Sequence, residues 1–156
     1  MILLDTNVVS EPMRQTPDRS VMAWIDGQPQ SSLYVSSVTR AEIELGIAML
    51  PEGRRKQGLR AAALRMFAEF HGRCLAFDEP AASRYAALVS ARLLAGSPIS
   101  VEDGLIAATA LAGGLVLATR NVRDFADIEG LSVVDPWSGS ATAGMSTVRL
   151  GQLDPE

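Results

Sequence analysis

Met1-Ile2-Leu3-Leu4-Asp5-Thr6-Asn7-Val8-Val9 opens the chain and decides how the rest is read. Ile2 to Leu4 is an apolar run without polar alternation. That is the pattern of a strand buried on both faces of a parallel sheet, although so short a run also occurs in helices. The run stops at Asp5, a carboxylate whose burial is costly without a cation or hydrogen-bond donors. Ligands of open α/β sheets collect beyond the carboxyl ends of the strands, so Asp5 stands where such a fold does its chemistry. Asp, Thr and Asn are also good helix N-caps, and a helix N-terminus favours an anion in either role. By itself the stretch leaves both readings open.

Working outward, further short apolar runs read as strands at residues 33–36, 74–77, 115–118 and 131–134. Helical periodicity fills the intervals between them. Asp18, Asp78 and Ser100 stand at helix starts, and Thr39 and Glu42 have the spacing of a capping box. Pro51, Gly96-Ser97-Pro98 and Gly113-Gly114 break helices. Strands alternating with helices predict a three-layer α/β/α sandwich around a mainly parallel sheet. The 156 residues suit one domain with a real core. Residues 1–137 carry the pattern. From 138 to 156 Ser, Gly, Ala and Thr dominate, and a flexible or peripheral tail is expected.

Composition narrows the function. No apolar run reaches the roughly 18 residues of a membrane span, and Met1 leads straight into the first strand, so a cytoplasmic protein is expected. One Cys and one His are too few for a structural zinc site. Cys74 lies in an apolar run and reads as a buried core thiol. The net charge of −4 does not advertise nucleic-acid binding. Among the fourteen basic residues Lys56 is the only lysine. Arginine suits bidentate phosphate contacts, but composition bias accounts for the same excess.

Four acids fall at strand ends or helix starts: Asp5, Glu42, Asp103 and Asp124. Each has a structural reading as a cap or turn residue, and Glu102 reads as a solvated first-turn acid. Together they share something capping does not require, since one edge of an α/β sheet would gather all four. Converging carboxylates repel one another and resist ionisation unless a cation neutralises them. Oxygen ligands without His or Cys select Mg²⁺, with Mn²⁺ as its substitute.

At this point the chain resembles the PIN-domain ribonucleases, in particular the VapC-type, FitB-like toxins of type II toxin–antitoxin systems. The resemblance rests on Ile2-Leu3-Leu4-Asp5-Thr6-Asn7, on the stretch 37–46 around Glu42, on Asp103 with 105–110, on 117–125 and on Asp135-Pro136-Trp137. No one of these motifs is strong; the first four in this order are specific. The resemblance implies a Mg²⁺-dependent endoribonuclease. Asp5 and Asp103 would hold the metal, and Glu42 and Asp124 would complete the acidic shell or orient the attacking water. Asn121 occupies a position that is Asp in many relatives. Asp124 is therefore favoured as the fourth acid, with Asn121 as a secondary ligand and Thr6 and Thr119 as polar support. The implied partners are an RNA substrate, a small antitoxin of the VapB/FitA type and a second copy of the chain in a homodimer. Arg40, Arg120 and Arg123 flank the acids as candidate phosphate contacts, each with a local ion pair as the simpler reading. The rival to the hydrolase is a PIN-like domain that has lost catalysis and acts as a binding module. A receiver-type signalling domain fits less well, because only one acid follows the first strand and Lys56 lies in a helix.

Overall fold

The computed structural model describes residues 1–138; the expected tail at 139–156 lies outside the described residues. Strand β1 spans Ile2–Leu4 and is followed by the short helix α1, Thr6–Ser10, and a 3₁₀ turn at Glu11–Met13 where Pro12 interrupts the α-helix. Helix α2 is Arg19–Asp26, capped by Asp18, whose carboxylate accepts from the Ser20 and Val21 amides. Strand β2, Leu33–Ser36, runs into α3, Ser37–Ala48, and a break at Pro51 precedes α4, Arg54–Glu69. Strand β3, Cys74–Leu75, precedes α5, Glu79–Leu94, and α6, Val101–Gly113. Gly114 closes α6 in the left-handed conformation (φ 63°) that glycine adopts freely. The chain then enters β4, Val116–Ala118, a 3₁₀ turn at Val122–Phe125, and β5, Val133–Val134.

The five strands are all parallel in the order β3-β2-β1-β4-β5. β1 is central. Ile2 pairs with Leu33 on one side and Val116 on the other, and Leu4 pairs with Ala118. Successive side chains of a strand point to opposite faces, and Leu3 and Leu4 do so. Leu4 joins Val8, Val21, Ile43 and Phe67 in one apolar cluster, beneath α1 to α4. Leu3 joins Leu88, Ile106, Leu117 and Phe125 in the other, beneath α5 and α6. This is the expected three-layer sandwich, with a sheet more uniformly parallel than "mainly" conveys.

Helix α6 is the most buried helix, with Gly104 and 106–110 all inaccessible. Its approach to α5 is close. A Cβ added at Gly104 would lie 2.9 Å from Tyr85 Cε2 and 3.4 Å from Val89 Cγ2. Only a residue without a side chain fits this spacing without displacing Tyr85.

Three local expectations need correction. The cap of α3 is Ser36, not Thr39. Ser36 has extended backbone (φ −100°, ψ 156°), and its hydroxyl accepts from the Thr39 amide at 2.9 Å. Thr39 and Glu42 therefore lie inside the helix, and Glu42 is freed from capping. β3 and β5 are two residues long rather than four, as sheet-edge strands with one neighbour each. For the same reason Cys74 is exposed instead of lying in the core.

Candidate active site

Between β1 and β4 the strand order reverses, since the chain moves from β1 outward to β3 and returns on the other side of β1. Such a switch point opens a crevice at the carboxyl ends of the two strands. Asp5 follows β1 and Thr119 follows β4, and the two meet there. The Thr119 hydroxyl donates to Asp5 Oδ2 at 2.6 Å. Asn7 Nδ2 donates to the same oxygen at 2.8 Å, and the Thr6 amide donates to Oδ1 at 2.7 Å. Asp5 is only 3% exposed. Three donors take three of the about four lone-pair positions of a carboxylate, which leaves one on Oδ1. Asp5 is therefore both the cap of α1 and an acid with a coordination position to spare.

Glu42 is reached from the other side of Thr6. The Thr6 hydroxyl donates to Glu42 Oε2 and lies 3.4 Å from the Thr39 hydroxyl, which accepts from Ser36 Oγ at 3.1 Å. One hydroxyl carries one proton, so the chain Ser36, Thr39, Thr6, Glu42 is satisfied in that direction. It ties the end of β2 to the end of β1. Asp103 sits in the first turn of α6, which Ser100 caps by accepting from the Asp103 amide at 3.1 Å.

The acids influence one another. Burial pushes the Asp5 carboxyl above its ordinary 3.8; the Thr119, Thr6 and Asn7 donors oppose the rise and the charge of Asp103 adds to it. Glu42 is raised from 4.5, first by burial and then, against the Thr6 bond, by Asp5, Asp103 and Glu102. Asp103 is raised from 3.8 by burial, opposed by Ser100, with Asp124 and Glu102 adding to the rise. Asp5, Glu42 and Asp103 are thus coupled directly, and Asp124 reaches the group through Asp103. Asp124 itself is exposed on the turn after β4, next to Asn121, which is also exposed. Asn121 contributes its amide, which donates to Thr119 Oγ1 at 3.0 Å; among the described residues its side chain makes no hydrogen bond.

Two participants escaped the sequence reading. Asn7 connects both halves of the crevice, because its Oδ1 accepts from the Arg120 amide at 3.2 Å while its Nδ2 holds Asp5. Its signal was present in the Asp5-Thr6-Asn7 triplet, where capping explained it equally well. Glu102 is exposed as expected, yet its charge reaches both Glu42 and Asp103. Of the flanking arginines, Arg40 is engaged elsewhere, paired with Glu44 at 2.8 Å and stacked 5.1 Å above Phe67. Arg120 stacks on Trp137, and Arg123 makes no ion pair among the described residues.

The donor set suits a hard divalent cation. Its donors are carboxylate oxygens, each raised in pKa by burial and by like charge, the two penalties a cation removes. Among the described residues no three acidic, His or Cys side chains are grouped closely enough to enclose an ion by themselves.

A family model described as "PIN domain" matches residues 2–131. The chain is 43% identical over 141 residues to the VapC ribonuclease Y4jK of Sinorhizobium fredii, covering 88% of this chain and 98% of that protein. It is also 43% identical over 143 residues to the toxin FitB of Neisseria gonorrhoeae, with 88% and 99% covered. The crystal structure of FitAcB from the same organism superposes with a TM-score of 0.81 at 43% identity, spanning 88% of this chain and 99% of its own.

Proposed function

The chain belongs to the PIN-domain family, and from that premise we propose that it is a metal-dependent endoribonuclease, the toxin of a type II toxin–antitoxin pair. The observation that carries the reading is Asp5. It is a buried carboxylate at the switch point, held by three donors, with a position left on Oδ1 and raised in pKa together with Glu42 and Asp103. A cap alone requires neither its burial nor the convergence of further acids. The relatives named VapC ribonuclease and toxin FitB, at 43% identity, support both halves of the proposal.

Asp5 and Asp103 would hold Mg²⁺, or Mn²⁺ in its place. When bound, such an ion supplies charge neutralisation for the phosphodiester and lowers the pKa of a water. The remaining work belongs to the chain. Thr119 and Asn7 fix the Asp5 carboxylate in one orientation. The Thr6 hydroxyl holds Glu42 Oε2, which leaves Oε1 to accept a proton from the attacking water. The raised pKa of Glu42 brings it nearer working pH, where a general base is effective. Asp124, at the rim, adds negative charge beside Asp103 and positions water rather than gripping the ion.

The partners follow the same reading. Leu4, Val8, Val9, Ile25, Met66 and Phe70 border an apolar cleft of about 190 Å³ that can take a side chain of an antitoxin helix. Exposed Leu45 on α3, Met49 just after it, and Leu93 and Leu94 on α5 leave apolar surface for a homodimer. Among the described residues no helix is long and apolar enough to cross a membrane, which is compatible with the proposed cytoplasmic site of action.

Incubation of the purified protein with total RNA and Mg²⁺ tests the proposal. Wild type is expected to cleave, with EDTA abolishing cleavage. Asp5→Asn and Asp103→Asn should each lose more than about 100-fold, beyond the 10–100-fold typical of outer-shell partners. Equal cleavage by wild type and both variants removes the assignment. The exposed place of Asp124 and the Asn at 121 favour the binding-module rival. That rival expects growth arrest on expression to survive Asp5→Asn.

A further inference from the structure

Beside the acids lies a second opening. A cavity of about 730 Å³, within the roughly 300–1,000 Å³ of ligand sites, separates the first helical turns from the start of α4. Its walls include Asn7, Arg14, Arg55, Arg120 and Trp137. The one acid on the wall, Glu11, is 3% exposed; it pairs with Arg14 at 3.2 Å and accepts from the Asp18 amide at 2.8 Å. Three guanidinium groups against one carboxylate leave the cavity positive on a chain of net charge −4. Arg55 and Arg120 make no ion pair among the described residues. The Arg120 guanidinium instead lies 5.4 Å over the Trp137 ring.

The helix that presents Arg55 is built against its own preference. α4 opens with Arg54, Arg55 and Lys56, has no acid in its first turn, and receives no side-chain cap from Gly53. Positive charge at a helix N-terminus opposes the dipole. At the cavity the dipole and the arginines act with the same sign, which favours an anion there. Lys56 is compensated by Glu52 at 2.6 Å, whereas Arg54 and Arg55 have no acidic partner among the described residues, and Arg55 lines the cavity; a local rule left uncompensated there marks a place where function decides the residue.

The cavity adjoins the acids. Asn7 lines it, holds Asp5 Oδ2 through Nδ2, and accepts from the Arg120 amide. We propose that this cavity seats a nucleotide flanking the scissile bond of a single-stranded RNA, its phosphate against Arg55 and its base against the Arg120–Trp137 pair. The proposal rests on the ribonuclease reading and adds to it the residues that position the strand. Unpaired bases stack on aromatic rings and on arginine planes, whereas paired bases are held in the duplex and cannot splay into a cavity. An acidic peptide would use the arginines and leave the ring without a role.

Fluorescence anisotropy with labelled single-stranded oligoadenylate, in EDTA so that nothing is cut, tests this. Wild type should bind, with affinity falling linearly in log–log form with salt. Arg55→Ala should weaken binding and lower that slope by about 0.7, the share of one phosphate contact on a single strand. Trp137→Ala should weaken binding roughly 5- to 150-fold, and Trp137→Phe should retain most of it. Arg65→Ala, an exposed charge on α4 outside the cavity, is the matched control. Arg55 is exposed, so its variant tests the cavity even if Trp137→Ala fails to fold. The proposal is overturned if wild type does not bind, if Arg55→Ala behaves as Arg65→Ala, or if oligoglutamate competes as well as oligoadenylate. RNA cleavage by wild type alongside an unchanged Arg55→Ala slope removes the cavity alone. Binding with the expected losses but no cleavage supports the cavity and removes the hydrolase.

Discussion

The crevice has two sides, and they are built differently. On the β1 side, Asp5 leaves a central strand, is buried, and has three donors fixing its carboxylate. On the β4 side, after Thr119, the chain enters an exposed 3₁₀ turn whose acid, Asp124, makes no side-chain hydrogen bond among the described residues. In the proposed nuclease, Asp5 would keep its place when charge arrives, and Asp124 would adapt to water and substrate. The rigid side is bound by packing, so a change there costs stability and activity together; a change on the open side is expected to touch activity alone.

The largest test of that contrast is Asp5→Asn, expected to lower kcat/KM for an RNA substrate by more than about 100-fold, as a loss of metal affinity exceeding outer-shell effects. Thr119→Val comes next. It deprives Asp5 Oδ2 of a buried donor and the Asn7 and Asn121 amides of an acceptor. Activity should fall 10–100-fold, and denaturant titration should show a loss of about 1–3 kcal/mol. Asp124→Asn should cost no more than about tenfold in activity, the low end for an outer-shell partner, with an unchanged unfolding midpoint. A loss as large as that of Asp5→Asn would show the two sides to be equivalent.

The pH dependence of stability sharpens the same contrast. Asp5, Glu42 and Asp103 have folded pKa values above their ordinary 3.8, 4.5 and 3.8, each chiefly through burial. The folded chain therefore holds protons that the unfolded chain has released. The resulting stability is full below the ordinary values and is lost as pH rises through the raised ones. Thermal unfolding in EDTA should show Tm falling across that window, and Mg²⁺ should restore it. Asp103→Asn should flatten the profile. The smallest expected effect is that of Arg40→Ala. Its pair with Glu44 is half-exposed, so a few tenths of a kcal/mol and no change in cleavage are expected.

Sequence reading succeeded where one physical rule dominates. The place of Asp5, a buried cap at the end of β1, was legible because an apolar run ends on a charge, and Ser100 because its hydroxyl caps α6 three residues before Asp103. The start of α3 was ambiguous because Ser36 and Thr39 stand three apart and each begins a cap-like pattern. The structure chooses Ser36 because it ends β2 in extended backbone, from which a hydroxyl reaches forward to the third amide. Cys74 was misplaced because hydrophobicity does not distinguish a central strand from an edge. Asn7 was hidden because its partners, Thr119 and the Arg120 amide, are more than a hundred residues away in sequence. No local pattern contains such a contact.

Gly104 follows Asp103 in the chain and sets how near α6 can come to α5. Its missing methyl works as a gauge. The energy between two charges varies inversely with their separation, and the residue next to Asp103 is the one whose missing methyl lets the first turn of α6 lie against Tyr85. A methyl there would meet the Tyr85 ring at 2.9 Å, so either that ring moves or the first turn of α6 shifts and carries Asp103 with it. The place of a charged residue at the edge of the sheet thus depends on an uncharged contact between two helices, one residue away.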